Sequence, residues 1–90
     1  MDQVHLIISG KVQGVFYRAS CQKIAIQYDL KGWVKNLSTG QVEVLAQGKK
    51  EEIEKFINWC KKGPPHAIVN DLEIKWQPLN HDYNTFEIIY

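Results

Sequence analysis

Apolar residues recur along the first half of the chain with two different spacings. Val4, Leu6 and Ile8 alternate with the residues between them, and this period of two predicts a β-strand with one buried face. After the sequence GKVQG, apolar residues at i, i+3, i+4 and i+7 form a stripe that predicts a helix over residues 17–29. The members of this stripe are Cys21, Ile24, Ala25 and Tyr28. The loop between strand and helix then comprises residues 11–17.

A hairpin and a second helix follow. The segment LKGWVKNLSTGQVEVLAQG, residues 30–48, has two β-branched or aromatic runs on either side of Ser38-Thr39-Gly40, where glycine can supply the turn dihedral. A second stripe with helical spacing predicts a helix that ends at Gly63, before Pro64-Pro65. Its members are Ile53, Phe56, Ile57 and Cys60. Acidic residues in its first turn and lysines in its last turn complement the helix dipole.

Two alternating segments predict the last strands. Their apolar members are Leu72, Ile74 and Trp76 in the first, and Phe86, Ile88 and Tyr90 in the second. The predicted order is therefore β-α-β-β-α-β with an additional short strand at the end. Because each helix has one apolar stripe and each strand mainly one apolar face, both helices should cover one face of a mostly antiparallel sheet. This plan is the ferredoxin-like α/β sandwich of the α+β class.

Length and composition narrow the range of functions. The chain has 90 residues, enough for one modest core, so residues 1–90 are expected to form a single domain. The formal net charge is +1 and the charges of both signs are interspersed, so no nucleic-acid or membrane partner is expected. No apolar run approaches the ~20 residues of a membrane span, and no signal peptide is visible. A cytoplasmic monomer is the expectation.

The cysteines and histidines do not form a metal-binding pattern. Cys21 and Cys60 belong to no Cys-x-x-Cys pair, and His5, His66 and His81 lie at no metal-ligand spacing from them. Both cysteines fall on the predicted core-facing stripes, so we expect buried free thiols. A disulfide between them would require the two segments to lie side by side.

The stretch GKVQGVFYR, residues 10–18, is suited to binding an anion. It ends on Arg18, the only arginine in the chain. Consecutive backbone N–H groups at a helix start, with Gly14 permitting a left-handed turn, form a concave anion site. An arginine one turn into the helix can donate two hydrogen bonds to a bound phosphate. The alternative is that the loop is only structural and Arg18 a surface residue near a carboxylate.

The residues that this loop lacks are also informative. A Cys-x5-Arg phosphatase would need its cysteine where Val12 stands, and a nucleotide-binding loop would need Lys-Ser/Thr where Val15 and Phe16 follow Gly14. No histidine lies nearby in sequence, and no carboxylate cluster could hold magnesium. Arginine and backbone amides without a nucleophile suit direct attack of water on phosphorus. Such a reaction works best with a leaving group that needs no protonation, such as the carboxylate of a mixed anhydride.

Two motifs together resemble those of the acylphosphatase family. GKVQGVFYR is followed by GWVKN, residues 32–36, and the family patterns are approximately Gly-x-Val-Gln-Gly-Val-x-Phe/Tyr-Arg and Gly-x-Val-x-Asn. Weaker similarities occur at Gly40-x-Val42-x-Val44 and at residues 63–69, so the resemblance covers essentially the whole chain. It implies a small hydrolase without metal or cofactor that cleaves acyl phosphates to a carboxylate and inorganic phosphate.

The resemblance also implies roles for individual residues. Arg18 would bind the phosphate and Asn36 would position the attacking water. The predicted phosphate-binding set is Gln13, Gly14, Val15, Phe16, Tyr17 and Arg18, mainly through loop amides. Taken alone, Asn36 is more typical of a residue that starts a turn. The chain departs from the family at Thr39, often Asp, and at Tyr28-Asp29, often Gly, which affects only the hairpin and the helix end.

Two binding functions compete with hydrolysis. Ferredoxin-like sheets also form RNA-binding modules, but the predicted strand QVEVLAQ has no aromatic residue for base stacking and carries Glu43. A sensor that binds an acyl or carbamoyl phosphate without turnover is not distinguished from an enzyme by these residues. The identity of the physiological acyl phosphate also stays open.

Overall fold

The computed structural model of the chain describes residues 1–90. Its elements are β1 (Asp2–Lys11), α1 (Tyr17–Gln27), β2 (Lys31–Asn36), β3 (Val42–Gly48), α2 (Lys50–Lys62), β4 (Ile68–Gln77) and β5 (Phe86–Ile89). Neither helix combines the length and the apolar character needed to cross a membrane.

The five strands form one sheet in the order β4-β1-β3-β2-β5. All neighbours are antiparallel except β2 and β5, which run parallel. Both helices pack on the face of the sheet that carries Val4, Leu6 and Ile8, which are fully buried. The predicted ferredoxin-like sandwich with two helices on one face is confirmed, including the additional strand at its end.

The core lies between the helices and the sheet. The predicted stripe of α2 is buried along its length, with Ile53, Phe56 and Cys60 fully inaccessible. Burying one large aliphatic or aromatic side chain stabilises the fold by about 1.5–3 kcal/mol. Cys21 of α1 is also fully buried and both thiols are free, as the stripes predicted. Burial first, and then the neighbouring Cys60, raises the pKa of the Cys21 thiol.

Helix α1 ends two residues earlier than its apolar stripe predicted. Asp29 adopts a left-handed conformation with φ 57°, which an α-helix cannot continue. The amide of Leu30 then donates to the carbonyl of Ala25 at 2.9 Å, a bond that closes the helix in the Schellman manner. Near this helix end, where the family often has glycine, the left-handed position is filled by an aspartate.

Strand β4 begins earlier than predicted because of a bulge in its partner. The register between β1 and β4 shifts between Ser9 and Gly10. Gly10 has φ 129°, and a Cβ atom there would lie 2.1 Å from the carbonyl oxygen of Ile68. Glycine therefore permits a backbone approach that extends the pairing to Lys11. The alternation of apolar residues in β4 does not reveal this extension, because the strand start at Ile68 is exposed at the sheet edge.

The β2–β3 hairpin forms where the sequence predicted it. Gly40 has φ 93°, and the Leu37 amide donates to the carbonyl of Gln41 at 2.8 Å. The hairpin leaves Asn36 as the last residue of β2, next to the start of α1 rather than within the turn.

Candidate active site

The loop between β1 and α1 contains two residues in the left-handed region. Gly14 has φ 75°, and Phe16, which caps the start of α1, has φ 64° and ψ 26°. Left-handed residues within such a turn direct successive backbone N–H groups toward one side of the loop. The local backbone therefore forms the concave surface that the glycine pattern predicted.

The amides of this loop are free to bind a ligand. No hydrogen bond to another backbone group outside the regular elements uses an amide of residues 12–19. The first backbone amide with a partner in the helix is that of Ser20, which donates to the carbonyl of Phe16 at 3.1 Å. The open N–H groups of the loop and of the first turn of α1 thus combine with the positive end of the helix dipole.

Arg18 lies in a cavity of about 270 Å³ at this end of the sheet. Its guanidinium carbon is 5.0 Å from the centre of the Tyr90 ring, and it forms no ion pair with any carboxylate. The structure therefore disagrees with the alternative of a surface arginine paired with Glu or Asp. The cavity is lined by Val12, Gln13, Gly14, Phe16, Tyr17, Arg18, Ala19, Asn36, Ile88 and Tyr90.

Asn36 lines the same cavity from the opposite element. It shares the helix-facing side of β2 with the buried Val34, and it pairs in register with the buried Val42 of β3. Its side-chain oxygen Oδ1 is buried and has no hydrogen-bond partner within the chain. The turn itself is closed by the backbone of Leu37 and Gln41, so the side chain of Asn36 is not used to form it.

The side chain of Gln13 connects the loop to the hairpin. Its Nε2 donates to the carbonyl of Leu37 at 2.8 Å and to the carbonyl of Gln41 at 2.9 Å. Both hydrogens of the amide are therefore used, and only the backbone N–H of Gln13 remains for a phosphate. The sequence pattern did not reveal this contact, which fixes the position of the loop relative to Asn36.

Tyr17 and Val15 anchor the loop in the core. The hydroxyl of Tyr17 donates to the carbonyl of Cys60 at 2.8 Å, and its ring is fully buried. Burial, with a smaller contribution from the two nearby thiols, raises the pKa of Tyr17 well above its ordinary value. Val15 is buried and does not line the cavity. Both residues can therefore contribute only backbone N–H groups to an anion site.

Two lining residues from the end of the chain were not predicted. Ile88 lies in β5 and Tyr90 follows it, and both reach the cavity because β5 pairs in parallel with β2. Periodicity predicted this strand but contains no information about which strand it pairs with. Only the sheet order brings these residues beside Arg18.

The cavity is electropositive and lacks common nucleophiles. Arg18 is the only charged side chain in its lining, which contains no Cys, Ser, Thr, His, Asp or Glu. No group of three or more His, Cys, Asp or Glu side chains in the chain is arranged to hold a metal ion. Open amides, one guanidinium and one unpaired amide oxygen are the polar groups available for chemistry.

Comparison with known proteins identifies the family of the chain. The acylphosphatase family model matches residues 4–88. An acylphosphatase of Syntrophus aciditrophicus (strain SB) is 41% identical over 90 residues, which cover 100% of this chain and 94% of that protein. The crystal structure of acylphosphatase from Bacillus subtilis superimposes with a TM-score of 0.97 at 36% identity, covering 100% of both chains.

A second solved structure gives the same result. That of an acylphosphatase from Coxiella burnetii has a TM-score of 0.92 at 41% identity, and the match covers 98% of this chain and 92% of that one. The activity of this family is the hydrolysis of acyl phosphates. On sequence and fold alike, the chain belongs to the acylphosphatase family of hydrolases.

Proposed function

We propose that Arg18 and the loop amides hold the phosphoryl group of the substrate. The guanidinium has no competing carboxylate, so its paired donors can bind two phosphate oxygens. The backbone amides of residues 13–17 face the third phosphate oxygen. Their dipoles are fixed by the fold, so they need no reorganisation during the reaction. Charge that develops on the phosphoryl oxygens in the transition state is stabilised by both sets of donors.

Asn36 positions the attacking water in this proposal. Its Oδ1 is a buried acceptor without a partner, and a buried polar atom left unpaired costs about 1–3 kcal/mol. A water molecule that donates a hydrogen bond to Oδ1 satisfies this atom. The lone pairs of the water oxygen then point away from Asn36, toward the phosphoryl group. This unpaired oxygen, in the same cavity as Arg18, is the observation that carries the proposal.

The reaction then proceeds in one displacement. The water oxygen forms a bond to phosphorus while the bond between phosphorus and the bridging acyl oxygen breaks. The electron pair of that bond leaves with the carboxylate, and both hydrogens of the water remain on the phosphate, which later releases one to solvent. No general acid is needed because a carboxylate is a stable leaving group at neutral pH.

Several properties of the working protein follow from this site. Residues 1–90 act as one domain that itself supplies Arg18, the loop amides and Asn36, so a monomer is sufficient for activity. The positive groups are provided by protein, so no metal is required. The free thiols of Cys21 and Cys60 suit a reducing compartment such as the cytoplasm. The basis for expecting no nucleic-acid or membrane partner is the near-neutral, interspersed charge.

Turnover of acetyl phosphate in the presence of a strong chelator tests the proposal. We expect the wild-type protein to release inorganic phosphate at the same rate before and after chelation. Arg18→Lys should reduce kcat/KM by about 100-fold to 1,000-fold, because a point charge cannot reproduce two parallel hydrogen bonds. Loss of activity that magnesium restores, or a folded Arg18→Lys variant with more than half the activity, would refute it.

A further inference from the structure

Strand β4 forms one edge of the sheet and has no partner on its outer side. It is ten residues long, whereas β5 at the other edge has four residues. Its only neighbour is β1, so the backbone N–H and C=O groups that point away from β1 have no strand to pair with. Native proteins often blunt such an edge with a short strand or a proline, and β4 contains no proline. It is therefore an edge to which another strand can add.

The helix-side face of this edge carries apolar residues that the fold leaves partly exposed. Leu72, Ile74 and Trp76 lie on the same face of the sheet as the core of β1. Ile74 and Trp76 are each 43% exposed. They form one wall of a groove of about 430 Å³, and α2 forms the other wall. A strand that adds to β4 would extend the sheet beside this groove and cover both side chains.

The opposite face of β4 carries charges in a self-complementary order. Asp71, Glu73 and Lys75 are exposed, and none of them forms an ion pair within the chain. If two β4 strands pair antiparallel about a twofold axis at Ile74, Glu73 of each copy lies opposite Lys75 of the other. An axis at Leu72 or at Glu73 would instead place carboxylates opposite each other, and an axis at Lys75 would place two ammonium groups together. Opposite charges across a strand pair stabilise it and like charges destabilise it, so the pattern favours the axis at Ile74.

The same register suits the apolar face and the helices. Ile74 lies opposite Ile74 of the second copy, and Leu72 lies opposite Trp76. A twofold axis perpendicular to the sheet keeps both α2 helices on one face and makes them run antiparallel. Glu54 and Lys61 line the groove and form no ion pair within the chain. The axis directs Glu54 of one copy toward Lys61 of the other, so the second element is self-complementary as well.

From this arrangement we propose that β4 is a dimerisation edge, which binds β4 of a second copy antiparallel about Ile74 and joins two five-stranded sheets into one. The dimer goes beyond the proposed function and does not depend on it. The cavity that contains Arg18 lies toward the other edge of the sheet, beside β2 and β5. Both cavities therefore stay open in the dimer, and each protomer keeps a complete site.

Sedimentation equilibrium of the wild-type protein between about 1 µM and about 1 mM tests the proposal, because this range brackets the affinity of a small interface. We expect monomers to convert to dimers as the concentration rises. Glu73→Lys would place two lysines opposite each other at both ends of the strand pair, so it should raise the dissociation constant by about ten-fold or more. The double variant Glu73→Lys with Lys75→Glu only reverses each ion pair, so it should restore the wild-type dissociation constant.

Glu87→Lys is the matched control, since Glu87 is an exposed residue of β5 at the other edge and the net charge changes by the same amount. It should leave the dissociation constant at the wild-type value, and the thermal midpoint checks that every variant is folded. A wild-type protein that stays monomeric up to about 1 mM would overturn the proposal and leave this edge to a strand of a different protein. A dimer that Glu73→Lys weakens no more than Glu87→Lys, or that the double variant fails to restore, would overturn it as well.

Discussion

At the scale of single residues, the proposed chemistry depends on two polar groups, the Arg18 guanidinium and the Asn36 oxygen Oδ1, that have no ion-pair or hydrogen-bond partner in the chain. The guanidinium of Arg18 has no carboxylate beside it, and Oδ1 of Asn36 is buried without a donor. The unpaired Asn36 oxygen is unfavourable in an isolated fold and becomes favourable when a water molecule donates a hydrogen bond to it. Functional sites commonly retain such groups at a cost to stability.

Asn36→Asp separates the positioning of water from the formation of the hairpin. The two side chains have almost the same shape, so the hairpin should persist. The new carboxylate would repel a dianionic phosphate and would pair with Arg18. Because the carboxylate both repels the substrate and occupies Arg18, we expect kcat/KM for acetyl phosphate to fall by about 100-fold or more.

Circular dichroism and the thermal midpoint control for folding in this experiment, and both should stay near the wild-type values. Undiminished turnover by Asn36→Asp would contradict the proposed position of residue 36 beside the phosphoryl group and Arg18. The attacking water would then have to be held by another group.

At the scale of elements, the side chain of Gln13 joins the loop between β1 and α1 to the hairpin that carries Asn36. It donates to two backbone carbonyls of that hairpin, those of Leu37 and Gln41. The two halves of the site come from segments far apart in sequence, and this side chain sets their separation. Near-attack geometry is sensitive to displacements of about 1 Å, so such a connection affects rate as well as stability.

We expect Gln13→Glu to be more damaging than Gln13→Ala. The carboxylate cannot donate, and it would place a negative charge against two carbonyl oxygens and beside the phosphate site. Alanine removes the two bonds without adding repulsion. Both variants should lose kcat/KM, and the thermal midpoint should fall further for the glutamate variant. Equal effects of the two substitutions would contradict the donor role of the Gln13 side chain.

Tyr17 links the start of α1 to the end of α2 through its hydroxyl. Because Tyr17→Phe removes the bond to the carbonyl of Cys60, the free energy of unfolding at neutral pH should fall by about 1 kcal/mol. The pKa of Tyr17 is raised in the folded protein, whereas the unfolded chain ionises it near the ordinary value of 10.0. The stabilisation from its protonated state is therefore complete below pH 10 and is lost as the pH rises above it.

Denaturant unfolding as a function of pH measures this effect. Above pH 10, ionisation of Tyr17 in the unfolded chain should lower the free energy of unfolding of the wild-type protein by about 1.4 kcal/mol per pH unit. Tyr17→Phe lacks this loss, so the difference in free energy of unfolding between the two proteins narrows. Tyr28→Phe is the matched control, because the hydroxyl of Tyr28 forms no hydrogen bond within the chain. A constant difference between wild type and Tyr17→Phe from pH 8 to 11 would contradict the buried, protonated state.

The sequence predicted those elements whose signals are local. The apolar stripe of α2 and the turn at Gly40 are set by nearby residues, and both form as expected. The early end of α1 was not predicted because Asp29, unlike glycine, gives no local indication of a left-handed conformation. The start of β4 depends on the bulge at Gly10 in another strand, and a periodicity within β4 cannot report it.

For the site, the motifs predicted a set of candidate residues but not the contacts that connect them. Arg18 and Asn36 follow from the two motifs, and the structure brings both into one cavity. The contact between Gln13 and the hairpin requires the three-dimensional placement of two loops. The contribution of Tyr90 depends on the parallel pairing of β5 with β2, which neither motif contains.

At the scale of the whole molecule, the sheet collects three distant segments at one end. The loop before α1 with the first turn of that helix, the end of β2 and the end of β5 meet there. The resulting cavity offers open amides and one guanidinium and contains no common nucleophile. The proposed mechanism therefore uses water as the group that attacks phosphorus.

Hydrolysis in ¹⁸O-labelled water tests direct attack on phosphorus. Acetyl phosphate is converted by the wild-type protein with chelator present, and both products are analysed by mass spectrometry against an enzyme-free sample. We expect one labelled oxygen in the inorganic phosphate and none in the acetate, because water forms its new bond to phosphorus. Label in the acetate would show attack on the carbonyl carbon, and it would contradict the roles proposed for Arg18 and Asn36.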